Sequence, residues 1–355
     1  MSAATLPAPQ LIETATAILS ALGVSPEDAK VTAQVFVGAD MAGEPSHGLR
    51  LFVTVCERLA AGGHRAATWI DVDRDFGAIA VWDAHHSIGQ VVASRAMTAA
   101  MEKARTYGIG LVTVREATSL TSAKHYVLMA AEAGMIGIVH TNAIRKVMAP
   151  PGGMAPVMGN NPIAFAAPAG RHGHLCIDMA MTTAAIGRIY VARDRGEAIP
   201  LDWALGADGR PTSDAAEAAK VMSLLPFGGY KALALGLMNE VMTSVLASGE
   251  VFAGPSTGFH PPDAPMHTAF TMTALSVDAF ADPAAFKDRM EHLVDTLKGS
   301  PAVDANAPVR APGERSQALA AERAVSGIPL DAQTLGPFTE LCARHGVPTP
   351  WSTLT

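Results

Sequence analysis

The feature of this sequence that most limits its fold is a change of rhythm near residue 68. Before it, apolar residues recur at helical spacing; after it come short, β-branched runs separated by helical stretches. AIAVWDA (78–84), IGLVTVRE (109–116), MIGIVHTNA (135–143) and LCIDMAM (175–181) read as strands. GQVVASRAMTAAMEKARTYG separates the first two with helical periodicity, and a second helix over about 122–133 precedes the third. Strands that alternate with helices build an α/β sheet with helices layered on it.

The two ends are helical. Leu11, Ile12, Ala15, Ile18, Leu19 and Leu22 mark a first helix, and Ser25 with Pro26 caps and opens a second that runs to about Ala39. A third carries Leu51 to Leu59 and stops at Gly62-Gly63. Beyond the sheet, residues 206–214 read as turns, Asp214 to Leu225 as a helix, and Lys231 opens an apolar helix after a glycine pair. Residues 253–266 are rich in Gly and Pro and are expected to form a mobile loop. A last strand over 266–277, a helix over 283–299, a loop-to-helix junction over 311–327 and a helix near 331–345 complete the reading.

Composition removes several function classes. A net charge of -7 without a basic cluster argues against a nucleic-acid or acidic-membrane partner. No apolar run approaches the ~18 residues of a membrane span, and Glu13 interrupts an N-terminus that lacks a basic start. Three scattered cysteines (Cys56, Cys176, Cys342) suit a reduced compartment, so a cytoplasmic protein is expected.

The segment DMAGEPSHGLR (40–50) carries the clearest chemistry. Pro45 stops a helix before Ser46, and Gly48 permits a sharp turn after His47, a residue able to exchange a proton near neutral pH. The plainer alternative makes Ser46 a helix cap. No G-x-G-x-x-G or P-loop is present, no strand-to-helix serine elbow is found, and the histidines lack metal-binding spacing, so no metal centre is expected. Asn160 and Asn161 lie in a Gly/Pro-rich loop where an amide can bond a substrate; loop backbone groups are the alternative partners. Asp178 closes an apolar strand, where a carboxylate can bond a ribose hydroxyl. Lys231, and Gly313 with Glu314, open helices able to hold a phosphate.

In this order the motifs resemble those of the malate/L-lactate dehydrogenase family, which lacks a Rossmann fold. The matches run from about residue 10 to 345. They include DMAGxxSHG (40–48), IGQVVA (88–93), KARxYGIG (103–110), TN (141–142), APxGG (149–153) and NPIAF (161–165). DMA (178–180), IPxxWA (199–204), LLPxGGYK (224–231), PGE (312–314) and GIPL (327–330) follow. The resemblance implies a mixed-sheet NAD(P)-binding domain (71–280) and a helical domain built from both ends of the chain (1–70 and 281–355). It implies a homodimer with its cleft near the subunit interface. Hydride transfer between NAD or NADP and C2 of a small carboxylic acid is the implied reaction. His47 takes the position of the proton donor, with Ser46 beside it at the substrate. Asn142, Asp178, Met179, Ala180, Lys231, Pro312, Gly313 and Glu314 take cofactor-contacting positions.

Departures gather at the substrate end. The family's arginine and tyrosine after SHG are Leu51 and Val55 here, with Arg50 shifted by one residue, about 100° around a helix. Ser119 and Thr121 replace a His-x-Gly, and serine alone is no general base. His47 is therefore the expected acid/base, with Lys124 and His125 as substitutes. NAIRKVMAPPGG (142–153) is one residue longer than usual, and its basic pair, Arg145 and Lys146, is expected to anchor the substrate carboxylate, with Arg50, Ser119 and Asn161 completing the substrate set. Reduction of an imino acid C=N bond is the alternative reaction, and a cofactor-binding homologue without catalysis is the alternative class.

Overall fold

A computed structural model describes residues 4–254, 261–304, 306–349 and 351. Residues 255–260 of the stretch expected to be mobile, 253–266, lie outside the described residues. Strand β1 (Ala4–Leu6) leads into helices α1 (Ala8–Ala21), α2 (Pro26–Met41) and α3 (Leu49–Ala61). The middle of the chain follows as β2 (Asp71–Phe76), β3 (Ile79–Asp83), α4 (Gly89–Tyr107), β4 (Ile109–Ala117), α5 (Ala123–Glu132) and β5 (Met135–Thr141). Next come β6 (Ile163–Pro168), β7 (His174–Met179), α6 (Ile186–Arg195), β8 (Ala204–Leu205), α7 (Ala215–Val221) and β9 (Ser223–Leu224). Helix α8 (Tyr230–Glu240) runs into a π-turn (Val241–Val245), before β10 (Thr268–Ser276), α9 (Pro283–Lys298), α10 (Glu314–Ser326), β11 (Ile328–Leu330) and α11 (Ala332–Arg344).

Seven strands form one mixed sheet in the order β2-β3-β4-β10-β5-β6-β7. Strands β3 and β4 are parallel, as a helical crossover requires, whereas β10 enters antiparallel to both β4 and β5. The four strand runs read from the sequence coincide with β3, β4, β5 and β7. Strand β6 was not among them, because IAFAAP follows an Asn-Asn-Pro turn and has few β-branched residues. The helix expected from Asp214 to Leu225 stops at Val221, where Met222 turns left-handed (φ 55°) and Ser223–Leu224 pair with β8.

Alanines on α4 (Ala93, Ala96, Ala100) let it lie close to β4 and β10, where Val112, Val114, Met272 and Ala274 complete a dry core. A second core joins the chain ends, packing Leu11, Ile18, Phe36 and Phe52 against Ile328, Leu330, Phe338 and Cys342. Phe52 meets Phe36 and Phe338 edge-on at 5.5 and 5.8 Å. The α2–α3 connection, which carries Ser46 and His47, joins two helices anchored in this second core. No helix among the described residues is long and apolar enough to cross a membrane.

Candidate active site

The loop between α2 and α3 is shaped by a side chain nine residues upstream of the helix it serves. Asp40 Oδ2 accepts the Leu49 amide at 2.8 Å, so Asp40, not Ser46, satisfies the open N-terminus of α3. Gly48 has an ordinary negative φ of -93°. Glycine is needed there because a Cβ would stand 2.0 Å from the Asp40 carboxylate. The chain turns over residues 45–48, where the Gly48 amide donates to Pro45 O at 3.4 Å, and also at Gly43 (φ 80°). Burial pushes the Asp40 carboxyl up to about 7, against the lowering influence of the Leu49 amide.

Ser46 Oγ and His47 Nδ1 lie 3.0 Å apart. Their loop also supplies Glu44, whose carboxylate pairs with Lys124 Nζ and accepts Ser122 Oγ at 3.1 Å. The Lys124 amide, in the first turn of α5, donates to Asp178 Oδ2 at 2.8 Å. Three distant stretches therefore meet: the SHG loop, the start of α5 and the end of β7. His47 opens to solvent while protein crowds around it. That crowding pushes its pKa below the ordinary imidazole value; Glu44 acts to raise it and Lys124 to lower it. The ring is thus biased toward its neutral form. Burial, then the nearby Glu44 charge, pushes Asp178 up to about 6. Cys176, on the same face of β7, has its thiol pushed up to about 12 by burial and is unreactive.

Apart from Asn142, the expected cofactor positions lie around this cluster. Met179, 39% exposed, and Ala180 end β7. The residues beyond are tied to 225–227 by Thr183 N–H to Leu225 O (2.9 Å) and Phe227 N–H to Met181 O (3.1 Å). These bonds bring exposed Lys231, in the first turn of α8, to the end of β7. On the other side, Pro312 O accepts the Cys176 amide at 3.1 Å, and Gly313 (φ 87°) presses on Cys176 where a Cβ would be 2.7 Å away. Glu314 pairs with Lys298 at 2.6 Å and accepts the Ala311 amide at 3.0 Å. A cavity of about 840 Å³ runs from Gly43 and Pro45 to this turn, with Lys298, Arg310 and Arg315 on its wall. Cations beside a helix N-terminus, in a cleft of that size, fit a phosphate-bearing dinucleotide.

Three expected contacts are not at the cleft. Asn161 is fully buried: Oδ1 accepts the Ala143 amide at 3.0 Å, and Nδ2 donates to Gly236 O (3.2 Å) and Glu240 Oε2 (2.7 Å). Asn142, also buried, bonds Ser244 Oγ at 3.0 Å and the Ala269 amide at 2.9 Å. Both amides hold backbone in place, because buried donors and acceptors must find partners. Arg145 turns toward the lobe of α6 and α7, where Nη2 reaches Tyr190 Oη at 3.3 Å and Met222 Sδ. Lys146 is half-buried, and Arg50 is exposed in the first turn of α3. Ser119 precedes α5, with its Oγ accepting the Thr121 amide at 3.3 Å. Glu44 and Ser122 were missed by sequence reading. Glu44 fills an unassigned position in DMAGxxSHG, and its partner lies 80 residues away.

The fold, a mixed sheet beside a helical cluster, is shared with enzymes of known structure. Malate dehydrogenase from Entamoeba histolytica superposes with a TM-score of 0.91 at 25% identity, covering 98% of this chain and 99% of that one. Δ1-piperideine-2-carboxylate reductase from Pseudomonas syringae superposes with a TM-score of 0.85 at 27% identity, covering 95% and 99%. In sequence, malate/(S)-sulfolactate dehydrogenase from Methanothermus fervidus is 33% identical over 334 residues, 94% of this chain and 96% of the relative. These likenesses define an oxidoreductase. Residues 6–338 match the model of the malate/L-lactate dehydrogenase family, and the chain belongs to that family.

Proposed function

We propose that this enzyme interconverts a small 2-hydroxy acid and its 2-oxo acid with a nicotinamide cofactor, NAD or NADP, and that His47 carries the proton. The observation behind this reading is the junction itself: a solvent-open, predominantly neutral imidazole, 3.0 Å from Ser46 Oγ, beside the Glu44–Lys124 pair. Bound at the cleft, the nicotinamide supplies or accepts the hydride. His47 gives a proton to the substrate oxygen in reduction and removes it in oxidation. Ser46 orients the ring through Nδ1. Lys124 presents positive charge toward the substrate carboxylate while Glu44 holds it in place. Asp178, Met179, Ala180 and Lys231 on one side, and Pro312, Gly313 and Glu314 on the other, hold the dinucleotide.

The same residues fit reduction of an imino acid, the activity in the name of the Pseudomonas syringae neighbour. Ser119, where many relatives carry a second histidine, favours that reading, since a protonated imine needs less acid assistance than a ketone. We also read the protein as a cytoplasmic homodimer. The exposed apolar row Leu237, Met238, Val241 and Val245 supports the dimer, and three buried free thiols suit a reducing compartment.

The test is oxidation of NADH and NADPH with linear 2-oxo acids, with cyclic imino acids, and with 2-oxo acids plus methylamine. Turnover of a 2-oxo acid alone, lost in His47→Asn, is the expected result. Turnover of the imines only establishes the second reaction. Cofactor binding without turnover of any acid overturns both.

A further inference from the structure

We propose that His86, Glu116 and His267 form a binding site for one divalent transition-metal ion of the zinc class. The three residues come from the β3–α4 turn, the end of β4 and the approach to β10, and their ligand atoms all lie within 4.8 Å of one another. Two imidazoles and a carboxylate are a recurrent donor set for zinc, with a fourth position left for water. No residue of this set belongs to the cluster around His47.

The tautomer of His86 is decided by its surroundings. Its Nδ1 lies 2.8 Å from Met266 O, and a carbonyl only accepts, so the ring proton sits on Nδ1. Nε2 is left with a free lone pair, 3.7 Å from Glu116 Oε2. A backbone carbonyl that fixes the far nitrogen of a histidine is the usual support of a metal ligand. His267 Nδ1 approaches the same oxygen at 2.7 Å, and the two imidazole rings stand at 90°, with centroids 5.3 Å apart. On the other side of the His267 ring, Glu250 Oε2 lies 3.7 Å from Nε2, a carboxylate in position to support the ring once Nδ1 binds an ion. Ligand bonds of about 2.1 Å in a tetrahedral site put donors about 3.4 Å apart, so the 3.7 and 2.7 Å pairs shift by about 0.3 and 0.7 Å and the third pair closes by at most about 1.4 Å.

The backbone points the same way. His86 (φ 59°) and Glu116 (φ 53°) are both left-handed, a conformation that residues with a Cβ disfavour, and the His86 amide donates to Glu116 O at 2.6 Å. Side chains of the triad are 24–33% exposed, which leaves an ion a route in. An ion there would fasten the start of β10 to the sheet. The preceding segment is gripped separately by Arg58, which donates to Pro261 O (2.9 Å) and Ala264 O (2.5 Å).

The experiment titrates the chelator-stripped full chain with Zn²⁺ near neutral pH against a chromogenic chelator, and with Co²⁺ to read the coordination spectrum. One ion per chain, a four-coordinate Co²⁺ spectrum and a rise in Tm with added Zn²⁺ are expected. His86→Asn, chosen because asparagine tolerates a positive φ, and Glu116→Gln should each weaken binding at least tenfold. Either variant is counted only if its circular dichroism matches wild type. Should both misfold, the Co²⁺ spectrum of the wild-type chain decides: bands of a histidine-ligated four-coordinate site support the proposal, and a hydrated octahedral spectrum overturns it. Equal binding by wild type and folded variants, or no binding at all, also overturns it and leaves His267 and Glu116 a simple hydrogen-bonded pair.

Discussion

Replacing Asn161 with alanine separates a structural amide from a substrate contact. The substitution removes an acceptor for the Ala143 amide and donors to Gly236 O and the buried Glu240 carboxylate. Two neutral bonds at about 1 kcal/mol each and one charged bond at about 1.5–3 kcal/mol are lost. Alanine must also take the left-handed φ of 28° that Asn161 adopts, at about 1 kcal/mol more. The expected destabilisation is about 4–6 kcal/mol. An unfolding entropy of about 2.1 cal/mol/K per residue over 355 residues converts this to a fall in Tm of about 5–8 °C. Thermal melts followed by circular dichroism measure the shift, and steady-state kinetics below the transition measure KM. A Tm within about 1 °C of wild type with KM raised tenfold for the acid substrate would refute the burial argument and return Asn161 to the substrate site.

Three further outcomes are expected. Gly48→Ala, whose Cβ would stand 2.0 Å from the Asp40 carboxylate, displaces His47 and should lower kcat/KM about 10²-fold while far-ultraviolet circular dichroism is kept. Lys124→Met should move the His47 limb of the kcat/KM pH profile upward and Glu44→Gln should move it downward, since Lys124 lowers that pKa and Glu44 raises it; shifts of the same sign would contradict the cluster. Asp40 is raised from 3.8 to about 7 in the fold, so the stability it contributes is complete below the unfolded value and is lost as pH rises through about 7. Urea midpoints of Asp40→Asn, which keeps an acceptor for the Leu49 amide, should therefore fall less than those of wild type between about pH 5 and 8.

The residues of the SHG loop were legible in the sequence, but their reasons were not. Pro45, Ser46 and His47 could be singled out from local chemistry. That Gly48 makes room for Asp40 depends on where the Asp40 side chain turns, which no spacing rule encodes. Asn142 and Asn161 show the converse. An asparagine in a Gly/Pro-rich loop looks available for a ligand, and only the position of α8 and its π-turn shows that both amides are consumed inside. Arg145 follows the same logic, since the lobe that receives it is built from residues 45 and 77 positions further on.

The alternation of strands and helices and the two helical ends can be read from residue order alone. Those follow from apolar periodicity over five to twenty neighbouring residues, and family membership was written in motifs of similar length. Tertiary structure decided what neighbours cannot specify. It placed β10 between β4 and β5, more than 120 residues after either, and it set Glu44 on Lys124. It also brought His267 to Glu116 across 151 positions. Secondary structure is selected by local backbone and side-chain preferences, whereas a site is selected by which surfaces exclude water together.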